Sequence, residues 1–198
     1  MQKQACTDTA LRVNVQTRLD KAYPLCHCAT MPYIAVPSAY IAASFRHMHG
    51  VRLLGRSMRA LGFTLLDWTE KATPPPGLTP LERRQWMDTD SAGGQVFSFC
   101  RDACVSTHLV VYFGASGQDA GVEVGMAHAA GVPVLGIRGP LEGPGLMLHG
   151  AVDCWVEQIE DALALLEQIA RHAATQCRNL PKEADERVRL LCRRLPGA

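Results

Sequence analysis

Short apolar runs recur along this chain, and the segments between them carry apolar residues at helical spacing. Two bursts, 33–36 and 40–43, flank Pro37-Ser38. The second runs directly into Ser44-Phe45-Arg46 and reads as the first sheet strand. Val51, Leu54, Met58 and Leu61 then share one helical face, with Arg52, Arg56 and Arg59 elsewhere, so a helix is expected over 51–61. Gly62 ends it, and the run 63–68 reads as a second strand. The β-branched and aromatic run Leu109-Val110-Val111-Tyr112-Phe113 has the character of a buried parallel strand. The segment 95–107 should be the helix leading into it. A crossover helix within Gly117–Gly131 joins that strand to another at 132–137. A last short strand is expected at 153–156. Ile159, Ala162, Leu163, Leu166, Ile169 and Ala170 mark an amphipathic closing helix.

Alternating strands and helices predict a single doubly wound, flavodoxin-like α/β domain with a mostly parallel sheet of about five strands. Its expected extent is 32–175. Residues 1–31 are polar and weakly patterned, and read as either an added N-terminal arm or a partly disordered segment. Residues 176–198, with acids early and arginines late, read as a C-terminal docking helix. Between Glu70 and Gly94 the pattern lapses. Pro74-Pro75-Pro76-Gly77 breaks regular structure, Thr79 with Pro80 opens a short helix, and Ala92-Gly93-Gly94 reads as flexible, the composition of a lid or a surface excursion.

Composition narrows the function classes. The chain has 198 residues, 47% hydrophobic and 20% charged, with a formal net charge of +1. That balance offers no broad attraction to nucleic acid or anionic membrane. No apolar run is long enough to span a bilayer, and residues 1–30 lack a signal-peptide core, so a cytoplasmic location is expected. The eight cysteines therefore read as thiols. Neither Cys26-His27-Cys28 nor the Cys100/Cys104 pair has structural-zinc spacing, and no metal is expected.

Candidate chemistry gathers after the strands at 40–43 and 109–113. Glu123, flanked by Gly121 and Gly125, is expected in the first turn of the crossover helix, at the carboxyl end of a parallel strand. There the helix N-terminus would hold the carboxylate ionised, as a nucleophile requires. Plain helix capping accounts for an acid in a first turn equally well. Tyr40, Ser44 and Arg46 offer a hydroxyl, turn amides and a guanidinium suited to phosphate, although Ser44 could simply cap the next helix. Trp68 or Trp86 could stack on a base or serve the core.

The stretch D-A-G-V-E-V-G-M-A (residues 119–127) and the pattern Y-x-x-A-S-x-R (residues 40–46) resemble motifs of the nucleoside 2-deoxyribosyltransferase-like superfamily. The resemblance covers about 40–169 and points toward its 2'-deoxynucleoside 5'-phosphate N-glycosidases. It implies that Glu123 is the nucleophile, that Ser44 and Arg46 hold a 5'-phosphate, and that no cofactor is needed. It further implies N-glycosidic cleavage of a (deoxy)nucleoside 5'-monophosphate in a homodimer or larger oligomer. Three departures stand out. Ala43 replaces a glycine. The helical acid of relatives falls at Cys100, leaving Asp102, Asp88 or Asp90 as substitutes. The Asp or Ser six residues before the Glu is Gly117, with Ser116, Asp119 and Gly121 nearby to meet sugar or phosphate. A deoxyribosyltransferase, or a non-catalytic nucleotide-binding sensor on the same fold, is the alternative. A phosphoribohydrolase of the lysine-decarboxylase-like fold lacks its P-G-G-x-G-T-x-x-E run here.

Overall fold

The computed structural model describes residues 36–139, 143, 145–175 and 186–195. The expected arm at 1–31 and the stretch 176–185 lie outside the described residues. The expected apolar burst at 33–36 does too, apart from Val36.

Strands β1 (Ser38–Ala42), β2 (Thr64–Leu66), β3 (Leu109–Phe113), β4 (Val134–Ile137) and β5 (Cys154–Val156) form one sheet in the order β2-β1-β3-β4-β5. Every pairing is parallel. This is the doubly wound order of flavodoxin-like folds. The central strands are apolar on both faces, as a sheet covered on both sides requires: Tyr40, Val110, Val111, Val134 and Leu135 are all fully buried.

Helix α1 (Met48–Ala60) follows β1 through a 3₁₀ turn, Phe45–His47. It buries Val51, Leu54 and Met58, as its spacing predicts, and it packs against α7 (Ile159–Thr175) on one face of the sheet. Contact is close at Gly55, where an added Cβ would lie 2.7 Å from Leu65 Cδ2. On the opposite face α4 (Asp90–Ser106) and α5 (Gln118–Ala129) lie against each other and against β1, with α6 (Leu146–Ala151) beside α5. The last element, α8 (Glu186–Leu191), packs on α7, and Arg193 just beyond it forks onto Asp153 at 2.7 and 3.0 Å.

Three expectations change. Residues 90–94 are the first turns of α4 rather than a flexible linker, because Thr89 caps the helix through Ala92 N and buried Ala92 anchors it. Trp68 belongs to a short helix, α2 (Trp68–Lys71), rather than to β2. Asp67 accepts hydrogen bonds from Thr69 N and Thr69 Oγ1, and Arg59 grips it from α1 at 2.9 Å. Between α2 and α4, the Thr79–Glu82 capping box opens α3 (Pro80–Met87) with Pro80 in its first turn, so the segment 70–94 is largely helical. Finally, His128, whose spacing with Val124 and Ala127 predicts one shared packed face, is exposed. The packed face of α5 is Ala120, Val124 and Ala127.

Candidate active site

At the switch between β1 and β3, where an open α/β sheet leaves a crevice, the chain bounds a cavity of about 300 Å³. Two helix faces form its sides. Gly93, Val96, Phe97 and Cys100 of α4 stand at i, i+3, i+4 and i+7, and so do Asp119, Val122, Glu123 and Met126 of α5. Ala43, Ser44, Phe45, Trp68 and Arg101 complete the wall. Trp68 is locked in place, since its indole N–H donates to Ile41 O at 2.9 Å and its ring meets Phe45 edge-on at 4.9 Å. One end of this chamber is therefore aromatic and aliphatic.

Glu123 is the buried titratable group on the chamber wall. Strand alternation turns Tyr40 toward α5, and its hydroxyl donates to Glu123 Oε1 at 2.6 Å. Glu123 Oε2 is buried and no hydrogen bond reaches it. The helix begins at Gln118, so Glu123 falls in its second turn rather than the first, beyond the reach of the terminal field. Burial then decides. It raises the carboxyl from 4.5 to about 7, against the lowering effects of Tyr40 and Cys100, while the charge on Asp119 adds to the rise. The expectation of a carboxylate held ionised by the helix gives way to a group poised near neutrality. Burial and the charge on Glu123 push the Tyr40 phenol far above its ordinary value, and burial pushes the Cys100 thiol to about 12, so both stay protonated donors.

Beside the chamber lies a polar annex of about 340 Å³, lined by Ser44, Arg46, Ala115, Ser116, Gly117, Gln118 and Asp119. Ser44 and Asp119 border both spaces. The annex sits on the N-terminus of α5, whose cap is Gly117 at φ 82°, a conformation that favours glycine. No side chain caps this end, so Asp119 is not the cap, and the first amides of α5 are open to an anion. Ala115, at φ 55°, turns the preceding loop. Ser116 points inward. Its hydroxyl donates to Phe113 O and contacts His47 Nδ1 at 3.3 Å, so its proton is already committed. Ser44 does cap the 3₁₀ turn, accepting from Arg46 N at 3.3 Å, and it borders the cavities at the same time.

The other candidates fall away from this centre. Asp102 is exposed, ion-paired with Arg101 at 2.8 Å, and does not line the chamber. Its place two residues after Cys100 turns it to another side of α4. Asp88 closes α3 in solvent, and neither it nor Trp86 lines the chamber. A Cβ on Gly121 would meet no atom within 4 Å, so close packing does not dictate glycine there. Among the described residues no group of three or more His, Cys, Asp or Glu could hold a metal, and no helix is long and apolar enough to cross a membrane. Sequence reading missed Phe45, Val96, Phe97, Val122 and Met126. For the four on α4 and α5, their spacing along two expected helices carried the signal.

No family model matches the sequence, and no curated protein matches it. Among solved structures the chain is similar to a 2-deoxyribosyltransferase from the psychrotolerant bacterium Bacillus psychrosaccharolyticus, with 19% identity, a TM-score of 0.47, and coverage of 65% of this chain and 95% of that one. It is also similar to a Clostridium botulinum CMP N-glycosidase, with 15% identity, a TM-score of 0.44, and coverage of 66% and 98%. At such low similarity the functional argument rests on the site itself.

Proposed function

We propose that this chain cleaves the N-glycosidic bond of a (deoxy)nucleoside 5'-monophosphate, with Glu123 as nucleophile, and releases the free base. The observation that carries this reading is the Tyr40–Glu123 pair, set between an aromatic chamber and a polar annex at an uncapped helix end. Each space is large enough for part of a small ligand. The base occupies the chamber against Trp68, Phe45 and Phe97. The 5'-phosphate occupies the annex, where Arg46, Ser44 and the first amides of α5 supply donors. The sugar bridges the two, beside Asp119 and Glu123.

In that pose the ionised Glu123 attacks C1' as the base departs, through an oxocarbenium-like transition state, and forms a glycosyl ester. Tyr40 holds Oε1 and so fixes the orientation of the carboxyl. Water then resolves the ester. Water excluded from the chamber strengthens the attraction between the carboxylate and the developing positive charge on the sugar.

The test incubates the protein with ribo- and deoxyribonucleoside 5'-monophosphates and the matching nucleosides, follows free base by chromatography, and uses Glu123→Ala as control. Release from monophosphates alone, lost in the variant, is the expected result; release that survives in Glu123→Ala would sink the nucleophile assignment. A transferase would release base only when an acceptor base is present. A second reading, a nucleotide-binding sensor, draws on one observation: Cys100, not a carboxylate, lines the chamber where relatives are expected to carry an acid. Tight nucleotide binding without turnover, with or without acceptor, favours it.

A further inference from the structure

Among the described residues, the base end of the chamber holds no acid to assist a leaving group. Its walls there are Trp68, Val96, Phe97, Cys100 and Met126. The one polar hydrogen among these that is not already engaged by the backbone belongs to the Cys100 thiol, a very weak acid, since the Trp68 N–H is given to Ile41 O. Asp102 lies outside, exposed and bound to Arg101. Asp119, the second carboxylate on the wall, is exposed and borders the annex, at the sugar and phosphate end. Arg101 also reaches the wall, but its charge is matched by Asp102 at 2.8 Å. The unmatched charges facing the chamber are therefore negative, Glu123 and Asp119, and the surfaces around them are aromatic. Negative charge with aromatic faces suits a cation.

Resting on the glycosidase reading, we propose that the substrates are 5'-monophosphates whose base is cationic at the glycosidic bond, such as a pyridinium or an N7-alkylated purine. A neutral base must gain a proton as it leaves, and this chamber has no strong donor. A cationic base does not. The C1'–N bond breaks with its electron pair moving onto the base nitrogen, which neutralises that charge, while Glu123 forms the new C1'–O bond. Water then displaces Glu123 and one proton is released, so the sum is nucleotide plus water giving neutral base, sugar phosphate and a proton. The bound cation also favours the ionised form of Glu123, the form that attacks.

The experiment measures kcat/KM for matched pairs: nicotinamide mononucleotide against its dihydro form, and N7-methylguanosine 5'-monophosphate against guanosine 5'-monophosphate. General acids contribute about 10²- to 10⁴-fold, so a site without one should favour the cationic member of each pair by about a hundredfold or more. Cys100→Asp, which places an acid at the base end, should raise turnover of the neutral members and narrow the ratio. Neutral substrates turned over within about tenfold of the cationic ones overturn the proposal and leave the glycosidase reading intact. An unchanged ratio in a folded Cys100→Asp variant also counts against it. Release from no substrate at all removes both.

Discussion

Replacing Glu123 with glutamine should stabilise the protein increasingly as pH rises from about 4.5 to 7, and by a constant amount above that. The folded chain binds the Glu123 proton more tightly than the unfolded chain, because burial raises its pKa from 4.5 to about 7. A group shifted in that direction contributes stability that is fully present below pH 4.5 and is lost as pH rises through 7. At 1.36 kcal/mol for each tenfold in proton affinity, the wild type is disfavoured by about 3 kcal/mol once the folded form must hold a buried carboxylate. Glutamine keeps the shape and an oxygen for the Tyr40 hydroxyl, and it never ionises. Any constant difference in packing or hydrogen bonding between the two side chains is independent of pH and drops out. The assay is urea unfolding of wild type and Glu123→Gln at several values from pH 5 to 9, read as the difference in unfolding free energy. That difference should grow by about 2.5 kcal/mol across the range, nearly all of it between pH 5 and 7, where the folded carboxyl keeps a proton that the unfolded one has lost, and level off above that. A difference that stays flat with pH would refute the reasoning, because it would mean that Glu123 titrates alike in the folded and unfolded chains. The same measurement tests function indirectly. A site that holds a destabilising carboxylate sacrifices stability to keep a reactive group in place, a trade common at active sites.

Other consequences follow from neighbouring residues. Base release should rise with pH through about 7 as Glu123 ionises; Tyr40→Phe, which removes a hydrogen bond favouring the charged form, should move that limb upward in a kcat/KM profile, and an unmoved limb counts against the pairing. Arg46→Ala should raise KM for monophosphates by about 10- to 100-fold, the worth of a charge-assisted hydrogen bond, and leave the matching nucleosides unaffected; equal losses on both would take Arg46 out of phosphate binding. Gly136→Ala should destabilise the fold by about 1–3 kcal/mol in urea unfolding, because its Cβ would lie 2.6 Å from the Trp155 ring and 2.8 Å from Val152 Cγ1. Wild-type stability in that variant would show that β4 and β5 separate more easily than their packing suggests.

Strand β3 and the buried face of α1 were legible because a single local property decides each. An unbroken β-branched and aromatic run belongs in a sheet covered on both faces, and a helical stripe of Val51, Leu54 and Met58 has one side to bury. The start of α4 was not legible, since Gly93 and Gly94 signal a break locally. Buried Ala92 and the Thr89 cap outweigh their cost in helix propensity. That misreading hid only Gly93 of the α4 face, because Val96, Phe97 and Cys100 fall within the helix expected over 95–107. Glu123 shows the same limit in its chemistry. Its identity and its place after β3 are written in the sequence, yet its protonation depends on depth. One helical turn of displacement removes it from the terminal field, and the fold of Tyr40, Cys100 and the aromatic walls over it withdraws water. Two effects of opposite sign compete for one carboxyl, and the winner is set by tertiary packing, which no local motif records.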